Sequence, residues 1–417
     1  MARRLRFAAA AVTALAGSAP AVAVVSGEQR LLVVRATWGP KPFTAEQVQR
    51  NIEQVDAFFR ASSFGRVSFR GVVTPWLDAY SSPPSCDRAV IAAGGDQAAR
   101  AAGYDLDSFT HIAYLYPVTD CFWTGARWGK RVMLNGTLTL TNTAHELGHT
   151  FGLGHAHAWS CDPHPCGVVN MSDPYDTMGS GTGDFGSYEK SMLGWITRLT
   201  VPSHAGTYEL APIERRSAQP QGLIVNTARN RYWFEVRSEP ARDEDGKLLA
   251  DPGLLVHIGP SLKLNSMNSP YGLLVNSLVL DPVGRRSPAM RAGDRYSERG
   301  SFRVLVLRGS GSSFRLRFSW ADTTAPAPPS IARPEPRPGG ITMTWRNALE
   351  RGSGVARYIV SLDGRAPVSI RERAYPDRNS IRFEALTTGA HTVTIVAVDR
   401  AGNRGKPAVR RFTVGAT

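Results

Sequence analysis

The residues with the clearest chemistry in this chain are contiguous: His145-Glu146-Leu147-Gly148-His149-Thr150-Phe151-Gly152-Leu153-Gly154-His155. On a helix, residues four apart lie on one face with Cβ atoms roughly 5–6 Å apart. His145 and His149 at that spacing could each bring a ring nitrogen to about 2.0–2.1 Å from one zinc ion. Glu146, one residue on, points toward the metal's flank, where its carboxylate could accept a proton from zinc-bound water. Gly152 can take the positive φ that ends a helix sharply. A turn then carries His155 back to the metal as a third neutral donor. Three protein ligands leave one position open for water, which separates a catalytic zinc site from a closed structural one. H-E-x-x-H alone is a moderate signal, whereas the extended H-E-x-x-H-x-x-G-x-x-H is a strong one. The blander reading is of solvent-facing histidines on an amphipathic helix. His157 competes with His155 as third ligand, and the G-x-x-H register favours His155. His111 and His164 read as structural or exposed.

Other residues could bear on the site. Met178 stands in the turn-forming run Asp176-Thr177-Met178-Gly179 downstream of the histidines; taken alone it would read as core packing. Asp173, Asp176 and Asp184 could bind Ca2+, and a turn-rich loop explains them equally well. The four cysteines, Cys86, Cys121, Cys161 and Cys166, permit three pairings. Cys161 with Cys166, closing a small loop, and Cys86 with Cys121 is the expected set. The rival reading, a cysteine zinc site, needs closely spaced pairs, and only one pair is close.

The elements that must position these residues follow from apolar patterning. Leu31–Ala36 reads as a strand. Thr44 can cap a helix with Val48, Ile52, Val55, Phe58 and Phe59 on one face. Val67–Val73, His111–Tyr116 and Arg131–Leu140 read as strands and Ala89–Ala102 as a helix, an α/β mixture running to about Thr200. Beyond it, short alternations at Thr207–Leu210, Tyr232–Val236, Leu254–Ile258, Leu273–Leu280, Phe302–Leu307 and Phe314–Phe318 argue for an all-β sandwich-like unit. Six prolines between Pro326 and Pro338 read as a stiff linker. Ile341–Trp345, Tyr358–Leu362, Ile381–Phe383 and Thr392–Val398 make a second β module.

At 417 residues the chain is too long for one typical core, and its 42% hydrophobic content excludes wholesale disorder. Arg3, Arg4 and Arg6, the apolar stretch Phe7–Ala16 and Ala21-Val22-Ala23 read as a cleavable signal peptide over 1–23. Adjacent Arg3-Arg4 hints at twin-arginine export, with general secretion as the simpler reading. No other stretch is apolar enough to span a bilayer as a helix. The expectation is a secreted chain in an oxidising compartment. Net charge is +14, with 15 Arg/Lys against 7 Asp/Glu over 324–417. No nucleic-acid motif accompanies the excess. The basic C-terminal domain could attract an anionic envelope polymer, a membrane surface or an acidic glycan, and solubility or a generally basic proteome explains the excess equally well.

Together the zinc motif and Met178 resemble the metzincin clan, in which such a methionine forms the Met-turn beneath the zinc. Glu189-Lys190-Ser191-Met192-Leu193-Gly194-Trp195-Ile196 looks like the segment after the Met-turn in gametolysin-like peptidases. Ser63-Phe64-Gly65-Arg66-Val67-Ser68 and Asn135-Gly136 fit the same family. The immune-inhibitor-A-like proteases share the Gly-Trp segment but carry an aspartate near the place of His155. The likeness covers roughly Leu31 to Trp320. One departure stands out: some metzincins have a tyrosine two residues after the methionine, where this chain has Ser180. Tyr175 and Tyr188 are nearby, but neither can be assigned as an oxyanion donor. Trp345, Tyr358 and Ala397-Val398-Asp399-Arg400-Ala401-Gly402-Asn403 resemble a fibronectin type III domain of bacterial extracellular enzymes.

The expected architecture is an α/β (α+β) metzincin-like domain at 28–200, a β-sandwich-like domain at 201–322, a Pro-rich linker at 323–340 and a fibronectin type III-like domain at 341–417. The expected function is a secreted zinc endopeptidase, with Glu146 as catalytic base and an extended polypeptide as substrate. The strand around Arg131–Leu138 would offer its edge to that substrate. The alternatives are a zinc amidase acting on cell-wall or glycan-linked peptides, and a non-catalytic adhesin.

Overall fold

A computed structural model describes residues 12–13, 24–160, 166–259, 275–280, 287–310, 313–372 and 378–415. Apart from 12–13, the expected signal peptide lies outside the described residues, as do Cys161 and His164. Among the described residues no helix is long and apolar enough to cross a membrane.

The N-terminal domain is α/β. Its five-stranded sheet runs, in spatial order, β2 (Val67–Asp78), β1 (Gly27–Thr37), β3 (His111–Tyr116), β5 (Arg131–Asn135) and β4 (Gly125–Trp128). All pairings are parallel except the last, where β4 runs antiparallel to β5. Leu31 to Val34 and the whole of β3 are buried, as continuous apolar runs must be when helices cover both faces. Helix α1 (Ala45–Ser62) begins at a capping box in which Thr44 and Gln47 bond reciprocally. It buries Val48, Ile52, Val55 and Phe59 against one face, which α3 (Leu140–Thr150) shares. Helix α2 (Arg88–Ala101) covers the other face through Ile91, Ala92 and Ala99. Phe59 has no exposure and stands among Phe58, Phe69, Phe151, Phe185 and Trp195, with centroids 4.8–6.4 Å away. Burying such a ring contributes about 1.5–3 kcal/mol.

Past α3 the chain forms β6 (Leu153–Ser160) and β7 (Gly167–Val169), then α4 (Ser187–Met192). Strand β6 does not join the first sheet. It pairs in parallel with β13 (Val275–Val279), which continues through β12 (Gly253–Ile258), β11 (Arg231–Arg237), β10 (Gly222–Asn226) and β8 (Leu199–Thr200). Residues 153–160 therefore belong to a sheet most of whose strands come from beyond residue 200. One face of this sheet meets a second, antiparallel one, in spatial order β9 (Gly206–Leu210), β16 (Ser313–Trp320), β15 (Phe302–Ser310) and β14 (Arg295–Glu298), around a core including Leu223, Phe234, Val256, Phe302 and Phe318. Its other face packs Trp233 and Ile224 on Tyr188 of α4. The tail is a further all-antiparallel pair of sheets around Trp345, Tyr358 and Ile395. It joins the preceding domain through the buried Asp322, which accepts bonds from Ser353 N and Oγ at 2.7 Å.

Candidate metal centre

Helix α3 starts at Thr139, whose hydroxyl accepts the Asn142 amide at 3.2 Å. It ends where Gly152 turns at φ 91°, and Gly152 N–H bonds back to His149 O at 3.1 Å. That left-handed residue frees the chain from the helix, as its position in the motif implies. His155 then returns on β6, a strand rather than a turn.

The three rings converge. Centroids lie 4.7 Å (His145–His149), 4.8 Å (His149–His155) and 5.3 Å (His145–His155) apart. One ligand atom from each lies within 4.8 Å of the others, and among the described residues this is the group of His, Cys, Asp or Glu so placed. His145 Nδ1 donates to Thr177 O and His149 Nδ1 to Leu153 O, both at 2.8 Å. A carbonyl can only accept, so the proton sits on Nδ1 and Nε2 keeps its lone pair. Burial lowers the pKa of His145 and lowers that of His149 further, and it takes His155 down to about 3. The rings are neutral donors. His149 Nε2 and His155 Nε2 are 3.1 Å apart, while tetrahedral ligands at about 2.0–2.1 Å from zinc stand about 3.3 Å apart. The donor set fits zinc. His157 instead accepts the Met171 amide through Nδ1 at 3.1 Å, with its ring 6.1 Å from His155.

Glu146 is buried beside this group, and its Oε2 has no protein partner. Burial pushes its carboxyl up to about 8, against the opposing charges of Arg127 and Arg88. Above it passes β4. A Cβ added at Gly125 would collide with Glu146 Oε1 and stand 2.7 Å from its Cγ. Strand β4 is the outer edge of the first sheet, with β5 inside it. This corrects the expectation for Arg131–Leu138: the edge beside the carboxylate is Gly125–Trp128, and Arg131–Asn135 is flanked on both sides.

Met178 is fully buried, and its Sδ would be 2.6 Å from a Cβ at Gly148 in the histidine helix. The turn 176–179 closes through Gly179 N to Asp176 O (2.9 Å) and reaches the third histidine's strand through Ala156 N to Met178 O (2.9 Å). Since Thr177 O orients His145, this turn is part of the site. A buried charge network holds it from below. Asp173 Oδ2 bonds His257 Nε2 at 2.8 Å, and Asp176 accepts the amides of Met178 and Gly186, both at 2.7 Å. Asp184 pairs with Lys190, and Arg237 bonds Glu235 Oε1 (2.8 Å) and Asp184 O (2.7 Å). The three aspartates weighed as calcium ligands are thus engaged by donors of the chain itself. Burial would depress His257, yet Glu235, Asp173 and Glu189 raise it to about 9; burial would raise Glu235, yet Arg237, His257 and Ser187 hold it at about 2.

Tyr175 donates its hydroxyl to Asp251 O at 2.5 Å and Tyr188 packs edge-on against Trp233, so both serve the second domain. Cys86 and Cys121 are bonded as expected, and Cys166 is disulfide-bonded; its expected partner Cys161 lies outside the described residues. Sequence reasoning missed Gly125 and Arg127, for β4 is only four residues long. It also left the work of Asn135 unread. Asn135 Oδ1 accepts Thr119 N (2.8 Å) and its Nδ2 donates to Trp123 O (2.9 Å), clamping the loop that leads into β4.

Residues 51–252 match the family described as Gametolysin peptidase M11. No curated protein matches the chain. Among solved structures, metalloproteinase-II from Bacteroides fragilis is similar at 12% identity over 43% of this chain and 56% of that one, with a TM-score of 0.28. The Clostridium perfringens spore cortex lytic enzyme SleM is similar at 12% identity over 28% and 40%, with a TM-score of 0.20. The FN1–FN3 domains of chicken CNTN1 are similar at 11% identity over 45% and 78%, also at 0.20. The matched part spans less than two thirds of the first two of these proteins.

Proposed function

The chain belongs to the gametolysin peptidase M11 family of metallopeptidases through its domain at 51–252, and from that premise we propose that it is a secreted zinc endopeptidase acting on extracellular proteins. The observation that carries the reading is the unpartnered Oε2 of Glu146, buried beside three neutral histidines and under an open strand edge. His145, His149 and His155 would hold a zinc ion, which would supply Lewis acidity and make water a nucleophile near neutral pH.

The chain's own residues do the rest. Strand β4 offers its free backbone groups to an extended polypeptide, which adds as one more strand. Gly125 keeps that strand low over the carboxylate. Glu146 Oε2 takes the proton of the attacking water and later gives it to the leaving amine nitrogen. Thr177 O and Leu153 O hold two of the histidines in the tautomer that ligates. Secretion is supported by the basic and apolar N-terminal segment and by the Cys86–Cys121 disulfide, which suits an oxidising compartment. The tail is read as a fibronectin type III-like spacer or adhesive module.

Casein cleavage by the purified full chain tests the reading. It should stop on chelation and return with zinc. Glu146→Gln should abolish it while the metal content measured by mass spectrometry stays at one zinc per chain. Undiminished cleavage by this variant would sink the assignment.

A further inference from the structure

The basic excess has a structural focus outside both the metal centre and the tail. In the sheet β9-β16-β15-β14, residues such as Phe314, Leu316 and Phe318 point into the core. Side chains alternate across a strand, so their neighbours form a solvent face. On it Arg317 lies opposite Leu305, and Leu305 opposite Arg295; Arg315 lies opposite Arg308, and Arg303 opposite Ser319. All five arginines are exposed, and none forms an ion pair with another described residue. Glu209, opposite Arg315, is the acid on this face.

Two features separate this from an ordinary solvated surface. Like charges directly opposite one another destabilise a sheet, yet Arg308 faces Arg315. A β-bulge between Val306 and Arg308 creates that pairing. Without it Leu307 would oppose Arg315, and Arg308 would turn toward the core. The bulge re-aims a charge onto a face already crowded with charge.

We infer that this face binds an acidic polysaccharide. Strands about 4.8 Å apart and alternate residues about 6.7 Å apart set out a regular lattice of guanidinium groups, each shaped to fork onto a carboxylate or sulfate. A linear polymer with such groups at regular intervals can lie along it. Single-stranded nucleic acid would call for aromatic stacking platforms, and a bilayer surface for bulky apolar side chains. The face shows no aromatic ring and little apolar surface: besides Glu209 its other positions are hydroxyl residues, the half-buried Leu305 and, at the bulge, the half-buried Leu307. Binding here would hold the domain that shares a sheet with β6 against a charged matrix, whatever chemistry the histidines perform.

The full chain should bind immobilised heparin and polygalacturonate, but not neutral dextran, in a salt-sensitive way at about 0.15 M ionic strength. Arg303→Gln, Arg315→Gln and Arg317→Gln together should weaken binding roughly tenfold, at about 0.5 kcal/mol per lost surface pair. The same charge loss on the tail, by Arg404→Gln, Lys406→Gln and Arg411→Gln, should leave binding unchanged. Casein cleavage should match the wild type in both variants, so the glycan reading and the peptidase reading fail separately. Equal weakening in both variants would reduce the effect to net charge and overturn the proposal. So would absent glycan binding, or capture of DNA or anionic vesicles in its place.

Discussion

On the proposed mechanism Glu146 and Gly125 form a pair in which one residue acts and the other leaves room. The carboxylate is out of water, and the backbone of β4 lies on it so closely that a methyl at residue 125 would displace it. Gly125→Ala needs no unusual backbone conformation, but its methyl would press on the buried Glu146 and on Asn142, an overpacking that should cost about 1–3 kcal/mol. A shift of about 1 Å in a reacting group can cost 10²-fold in rate. Gly125→Ala should therefore lower kcat/KM by roughly 10²-fold, with zinc content unchanged and only a modest loss of Tm. Full activity would show that the carboxylate position is not set by the strand. His145, Glu146, His149 and His155 were legible because their relation is local: helix spacing and one glycine bring them together. Gly125 was not, since a residue needed for being small leaves no mark until its cross-strand neighbour is known. Thr177 O and Leu153 O were hidden for a like reason, being backbone groups that every residue has.

At the scale of elements, the long strands and helices stood out in the apolar pattern, and the short ones did not. Strand β1, helix α1 with its Thr44 cap and strands β11, β12 and β15 follow their periodicities. Strand β4, with half-exposed Gly125, Ala126 and Arg127, carries none. This is why the edge was expected one strand too far in. The same strand depends on the loop before it, which Asn135 clamps and the disulfide ties to the segment preceding α2. Cys86 and Cys121 are 35 residues apart, and closing a loop of that size restricts the unfolded chain by about 3–4 kcal/mol in the chain-entropy picture. Cys86→Ser with Cys121→Ser should lower stability by up to that amount. It should also raise KM more than it lowers kcat, because on the proposed reading the edge that is loosened binds substrate while Glu146 stays on its helix. Urea melts and steady-state kinetics on the double variant separate the two effects; a fall in kcat alone would refute the role given to the edge.

For the whole molecule, the second domain is continuous with the site. Strand β6 carries His155 into its sheet, and His257, Glu235 and Arg237 reach under the turn that orients His145. A chain ending at residue 200 should be unfolded or inactive, whereas one ending at residue 322 should cleave casein like the full chain. Circular dichroism and cleavage assays on the two truncations test this. The network also gives the molecule a pH signature. His257 is faced by Asp173, Glu235 and Glu189, and its pKa rises from 6.5 to about 9 on folding. A raised pKa stabilises fully below pH 6.5, and the contribution fades as pH climbs through about 9. By linkage it is on the order of 3 kcal/mol. Glu235, depressed from 4.5 to about 2, contributes above pH 4.5 and loses that as pH falls through about 2. Stability from this pair is therefore complete between about pH 4.5 and 6.5 and declines on either side. Lys190, whose pKa burial lowers, favours the fold as pH rises and masks part of the alkaline loss, so the wild-type curve alone is ambiguous. His257→Gln removes one slope and leaves the other. It should be less stable at pH 6.5 by about 3–5 kcal/mol, because Asp173 and Glu235 lose their buried partner. Its stability should no longer fall between pH 6.5 and 9. An alkaline decline as steep as the wild type's would mean that some other group holds the two domains together.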